Sequence, residues 1–405
     1  MSWFKNIDIK YLLIALIPCS IILGPLPHYP ILYYAFLALL GIQAVSNPKE
    51  HCFGAIVFLA ACAMSIIVGQ PSPIFKSWDR LALFALLLFG VFPIFSNNKI
   101  YILRSQVMKY SIWVCAFIGV TGVFCFYLGI NYNSIIAYAE AHTIEDAGWF
   151  AGLSRHAMML GPCCAIGMVL FVWYALDKRK HTSIRLLYWG ASLLCFLASL
   201  LSASRSAVLA GIVGVSVLLF YVFRGKISKL IGLIIVIGGL MIVGFPLYEK
   251  MAAPLIEKQE KNESDGGTLA SRQEKWESRL EEFKTDPLFG IGFVSVNLEN
   301  RYDYDPYTGT VESGSSWLQL LSMTGLFGTV SFLAIFIPTL LRLSKKQLLE
   351  NTHSYGTLLM GILAVFCVSM CAEGYLLAGG SFFSFTFWGV FGIAYSITHN
   401  PKLRF

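Results

Sequence analysis

The residues most able to do chemistry in this chain stand at the edges of long apolar runs, where a charge is costly unless it is paired or used. Arg205 lies in Leu201-Ser-Ala-Ser-Arg205-Ser-Ala-Val, between two such runs. A snorkelling helix-end cation is the plain alternative there. Arg272 follows Gly266-Gly-Thr-Leu-Ala-Ser271, with Ser271 placed to cap a helix, so Arg272 falls in that helix's first turn. A cation at that end opposes the helix dipole, which favours anions. The conflict makes sense if Arg272 helps to bind an anion; a solvated surface arginine is the alternative. Glu373, in Met370-Cys-Ala-Glu-Gly-Tyr375, is the only acid in its apolar run and is either functional or a structural partner for an arginine elsewhere. Arg80, after Asp79, is either an interface anchor or an anion contact. Arg155-His156 opens another run as a functional or an ordinary interfacial pair. Glu312, in Val311-Glu-Ser-Gly-Ser-Ser-Trp317, is either a general base at the mouth of a bundle or an exposed loop acid.

The elements that must position these residues are membrane helices. The chain has 405 residues, 57% hydrophobic and 13% charged, about half the charge usual in a soluble domain. About a dozen apolar runs recur, many near the roughly 18 residues that reach across a bilayer. They fall at 11–26, 30–46, 53–70, 79–96, 107–130, 156–176, 185–203, 206–223, 228–246, 316–341, 355–378 and 380–397. The one large polar interruption is 247–315. The expected fold is therefore all-α and polytopic. Residues 1–246 carry spans one to nine, 247–315 form a large loop with short helices, and 316–405 carry spans ten to twelve.

Charge placement orients the spans. Lys49, Lys99, Arg104, Lys109, Lys178, Arg179, Lys180, Arg185, Arg224, Lys226, Lys229, Arg342, Lys345 and Lys346 fall in loops on the side of the termini. The opposite short loops hold only Lys76, Arg80, Arg155 and Arg205. The positive-inside rule then predicts cytoplasmic termini, with 131–155 and 247–315 facing outward. The net charge of +7 is spread through these short loops, with no basic run and interleaved aromatics, so nucleic acid is not an expected partner. None of the 10 cysteines lies in the large loop and no zinc spacing appears, so no metal is expected. Within the loop, Ser271–Lys284 predicts an amphipathic helix with Trp276, Leu280 and Phe283 on one face and Arg272, Lys275 and Arg279 elsewhere. Asp286-Pro287 ends it.

These motifs, in this order, resemble the O-antigen ligase and polymerase superfamily. Leu201–Val208 is similar to its Ser/Thr-Arg turn. Ser271-Arg272-Gln-Glu-Lys-Trp276, continuing to Asp286-Pro287-Leu-Phe-Gly290-Ile-Gly292, resembles its large-loop motif. Trp317-Leu-Gln-Leu-Leu-Ser-Met-Thr-Gly325-Leu-Phe-Gly328 resembles its next span, and Gly152-Leu-Ser-Arg-His156-Ala-Met-Met-Leu-Gly161-Pro162 a further element. The resemblance implies a GT-C-class, inverting, metal-independent glycosyltransferase of the bacterial inner membrane, working at the periplasmic face without a cofactor. The donor would be a glycan on undecaprenyl diphosphate, the acceptor a glycan or lipid A-core, with membrane lipids around. Arg205 and Arg272 would hold the diphosphate, and Arg80, His156 and Glu373 would be possible supports. Ligases of this kind usually carry a His before the tenth span; here Glu312 is the nearest chemically equivalent group, which favours a polymerase or a divergent ligase. The rival expectation is a transporter or flippase of lipid-linked saccharides, which would leave the glycan–lipid bond intact.

Overall fold

A computed structural model describes residues 8–46, 48–133, 150–224, 249–253, 255–257, 259–260, 263, 270–297, 314–345 and 354–399. Among these the chain is almost wholly helical. The helices are α1 (Ile9–Cys19), α2 (Pro30–Val45), α3 (Phe53–Gly69), α4 (Ser77–Val91), α5 (Asn98–Tyr127), α6 (Ala157–Ala175), α7 (Thr182–Leu201), α8 (Arg205–Val222), α9 (Ala270–Thr285), α10 (Ser316–Leu343), α11 (Tyr355–Ser369) and α12 (Phe382–His399). Five of them, α5, α6, α7, α8 and α10, are long and apolar enough to cross a membrane, and α1, α2, α3 and α11 are shorter apolar helices. The expected span at 228–246 lies outside the described residues.

Helix ends differ from the expected spans where a local partner decides them. α5 begins at Asn98, well before the expected 107, because the Asn97 side chain accepts from Lys99 N and Ile100 N, a cap of the kind that starts helices. Arg104 is thereby a buried helical residue, not a loop cation. Its guanidinium donates to the carbonyls of Gly90 (2.7 Å), Phe89 (2.8 Å) and Phe95 (3.2 Å). It thus closes the end of α4, whose last carbonyls have no partner within the helix. Beyond α4, Phe95–Ser96 pairs antiparallel with Glu50–His51. α11 stops at Ser369, short of the expected 378, so Glu373 lies in the turn beyond it. That turn holds because its carbonyls find partners on α10, described below.

α6 is the central post. Nearly all of it is buried, and it touches α5, α7, α8 and α11. Small residues allow the close approach: a Cβ on Gly214 of α8 would stand 2.4 Å from Val365 of α11. A second cluster, of Phe58, Phe84, Phe92, Phe332, Phe387, Phe391 and Trp388, ties α3, α4, α10 and α12 together through ring contacts of 5.1–6.3 Å.

α10 carries the sharpest irregularity. Gly325 interrupts it at φ 61, ψ −164, a conformation open to glycine alone at low cost. The break would leave backbone groups unpaired. The segment after α9 supplies their partners: Ile291 N donates to Ser322 O (2.9 Å) and Gly292 N to Met323 O (3.2 Å), while Leu326 N donates to Pro287 O (2.8 Å) and Phe327 N to Leu288 O (3.1 Å). Gly290, at φ +77, makes the approach possible; a Cβ there would meet Met323 C at 2.5 Å. The Gly-x-Gly of the large loop and the Gly-Leu-Phe-Gly of α10 are thus two halves of one junction.

Candidate functional site

Most of the polar residues singled out in the sequence gather at one end of the bundle. The turn of residues 202–204 joins α7 to α8 and presents Arg205 as the first residue of α8. Ala203 sits in it at φ +49, a left-handed conformation that costs a non-glycine residue on the order of 1 kcal/mol. Packing holds it there: a Cβ on Gly161 of α6 would touch Ala207, Ser202 and Ser204 at 2.6–3.2 Å. Arg205 is half-buried, and its guanidinium is hydrogen-bonded to Gln259 Oε1. Gln259 in turn donates to Glu263 Oε1 at 2.5 Å.

Arg272 lies in the first turn of α9, as expected, although the helix already includes Ser271. Its Nη2 lies 3.4 Å from Glu373 Oε1, with both side chains largely but not wholly covered, 24% and 14% exposed. The paired reading of Glu373 is therefore realised. The turn that carries Glu373 is held by two serines before and at the start of α10. Ser315 Oγ donates to Met370 O (3.2 Å) and Ser316 Oγ to Glu373 O (2.6 Å), and Ser316 Oγ accepts from Tyr375 N (2.8 Å). Tyr375 stands beside Glu373, Arg272 and Cys163; burial, and then the Glu373 carboxylate, hold its phenol well above its ordinary value, so it stays protonated. Cys163 is two residues along α6 from Gly161, which packs on the Arg205 turn. The first turns of α6 thus pack on the Arg205 turn at Gly161 and carry Cys163 within electrostatic reach of Tyr375.

α9 does not present the face the sequence predicts. Leu280 is 41% exposed, whereas Arg279 is fully buried. Arg279 Nη1 donates to Glu282 Oε2 (2.9 Å), Ser295 O (3.2 Å) and Ser322 Oγ of α10 (3.3 Å), and Glu282 Oε1 accepts from Asn297 N (3.1 Å). Trp276 Nε1 donates to Gly314 O at 3.2 Å. Arg272, Trp276 and Arg279 follow i, i+4, i+7 spacing and form one stripe. The inward face of α9 is a charged one, and its ion pair fixes how the helix is rolled. Sequence reasoning missed Arg279, Glu282, Ser315, Ser316 and Tyr375. The usable signal for the first two was their spacing from Arg272 and Trp276.

The other candidates take defined places. Arg80 lies in the first turn of α4, at the same end. His156 caps α6, its Nδ1 accepting from Met158 N at 3.0 Å. Its neighbour Arg155 serves the fold: Nε donates to Ser20 O (3.2 Å), and Nη2 is hydrogen-bonded to Leu26 O. Glu312 lies outside the described residues. Among the described residues no group of His, Cys, Asp and Glu is arranged to hold a metal.

Long apolar helices packed in a bundle define a multi-pass membrane protein. The family model described as O-antigen ligase matches residues 190–333. That stretch, which holds Arg205, Arg272, Arg279, Gly290 and Gly325, is similar to the O-antigen ligase family. The family points to glycosyltransferase-like chemistry of the ligase or polymerase type. No curated protein matches the chain.

Proposed function

We propose that this protein moves a saccharide from an undecaprenyl-diphosphate donor to an acceptor hydroxyl at the periplasmic face of the inner membrane, in assembly of O-antigen or another surface polysaccharide. The observation that carries the reading is that Arg205 and Arg272 both stand in the first turn of a helix, partly open and held only by side chains, within the stretch matched to the family. Two guanidinium groups can hold diphosphate oxygens through bidentate hydrogen bonds. They offset the charge that develops on the leaving diphosphate, so no metal ion is needed for that task. Arg205 and Arg272 both rest on side-chain acceptors, Gln259 and Glu373, which can rotate away when an anion arrives. The 3.4 Å separation of Arg272 from Glu373 is loose for a charge-assisted bond and suits a partner that yields.

In this reading Glu312 is the general base that takes the proton from the acceptor hydroxyl as it attacks the anomeric carbon from the face opposite the diphosphate, inverting the configuration. The diphosphate leaves with the bonding electron pair. The acceptor is a second glycan chain in a polymerase or lipid A-core in a ligase.

The rival reading, transport of the intact lipid-linked saccharide, draws on the break at Gly325, since transporters often bind cargo at discontinuous helices. Here the four backbone groups around the break are taken by residues 287, 288, 291 and 292, which leaves them no cargo. Purified protein in nanodiscs, given donor and acceptor, decides the matter: cleavage of the glycan–diphosphate bond with extension of the acceptor supports transfer, and movement of intact donor in vesicles without cleavage supports transport. The orientation is tested with Ser264→Cys. An impermeant thiol reagent should label it in intact cells; labelling only after permeabilisation would invert the topology.

A further inference from the structure

We infer that the segment after α9, Asp286–Gly292, is a membrane anchor, with Leu288 immersed in the acyl chains of the bilayer beside α10. The flank of α10 below its break carries a continuous exposed apolar stripe: Phe327 (45%), Val330 (60%), Ile337 (47%) and Leu341 (63%), with Leu326 (44%) beside it. On a helix of spanning length, an exposed stripe of this composition faces lipid. Leu288, 61% exposed, extends the same surface. Its carbonyl accepts from Phe327 N at 3.1 Å, and the ring of its neighbour Phe289 meets that of Phe327 at 6.1 Å.

Irregular backbone is tolerated at a lipid surface only where its polar groups are satisfied. That condition holds for the groups that face α10 and for the turn itself. Pro287 has no N–H to place, and its carbonyl and that of Leu288 accept from α10. Phe289 N donates to Asp286 Oδ1 (3.1 Å), Gly290 N to Asp286 O (2.9 Å), and Ile291 and Gly292 donate to α10. One turn earlier the exposed residues of α9 are polar: Glu281, Lys284 and Thr285. The change from those charges to Leu288 marks where the loop passes from the aqueous side into lipid. α9 is therefore tethered at both ends: through Arg272 to Glu373, and through Leu288 to the bilayer.

The test exploits an opposition between protein shape and lipid. Leu288→Cys and Leu280→Cys are each made with Cys371→Ser, which removes the one exposed native thiol among the described cysteines, and placed in nanodiscs of phosphatidylcholine and phosphatidylglycerol. Both faces of a nanodisc are open, so the result does not depend on orientation or on activity. Judged by the protein alone, position 288 is the more exposed, 61% against 41%, and should react faster with a charged maleimide. Lipid immersion reverses the order: we expect Leu288→Cys to react at least about tenfold more slowly than Leu280→Cys. Leu326→Cys, on α10 itself, should be protected in the same way. Equal or faster reaction at 288, with 326 protected, would show that the segment stands clear of the lipid and would overturn the proposal.

Discussion

Several arginines at the two ends of this bundle are held in different ways. Arg104 closes α4 through three carbonyls, Arg185 donates to Ala175 O at 2.8 Å, and Arg224 donates to Ser344 O at 3.2 Å. Backbone carbonyls cannot turn away, so these cations are committed to helix ends. At the other end Arg205, Arg272 and Arg279 face Gln259, Glu373 and Glu282. Each end has exceptions: Arg179 and Arg342 meet the side chains of Asp177 and His399 at the first, while at the second Arg155 is locked on the carbonyls of Ser20 and Leu26 and Arg279 also donates to Ser295 O. Counting cations per side orients a membrane protein; asking what accepts their hydrogen bonds separates those that hold the fold from those able to meet a ligand. The three at the site end also differ among themselves. Arg279 is sealed, whereas Arg205 and Arg272 remain partly open.

The largest effect is expected where sealing is complete. Removing one partner of a buried ion pair leaves the other charge stranded and costs about 3–5 kcal/mol. Arg279→Met should therefore lower the unfolding midpoint in detergent strongly, while Arg279→Met with Glu282→Leu should recover much of the loss. A single variant as stable as the parent would place Arg279 among the exposed residues. Next come Arg205→Ala and Arg272→Ala. Loss of one anion-stabilising donor costs about 10²–10³ in rate, so each should reduce transfer at least about a hundredfold at normal expression. Arg205→Lys should also be poor, because lysine lacks the planar fork. Near-parental glycan ladders from either alanine variant would remove that residue from the site. A positioned base contributes about 10²–10⁴-fold, and Glu312→Gln should cost at least about tenfold with donor binding kept; an unchanged rate moves the base elsewhere, with His156 and Glu373 the next candidates. The smallest effect belongs to the opposite end. Arg224→Ala, exposed and bound to one carbonyl, should change transfer by less than about threefold, in line with surface substitutions worth about 0.5 kcal/mol. A larger loss would erase the distinction between the ends.

The sequence made the helical runs legible because lipid demands long apolar stretches, and it made Arg205 and Arg272 legible because cations stand out beside them. The pairing of Arg272 with Glu373 was one of two open readings, since a separation of 101 positions carries no spacing rule. The roll of α9 was misread for a physical reason. An apolar-face argument assumes that charge seeks water, and the Arg279–Glu282 pair breaks it by sitting in the interior against Ser295 and Ser322. The end of α11 was placed too far along because Met370–Tyr375 is as apolar as a span. Only the hydroxyls of Ser315 and Ser316 reveal that its carbonyls are used in a turn.

The junction of Gly290 with Gly325 has an evolutionary consequence. Each glycine is crowded by the other strand's main chain, not by a side chain: a Cβ on Gly325 would meet Leu288 O at 2.4 Å, and one on Gly290 would meet Gly325 N at 2.6 Å. A clash against a side chain can be relieved by a second, compensating substitution, but a clash against main chain cannot. These two positions should therefore be frozen independently.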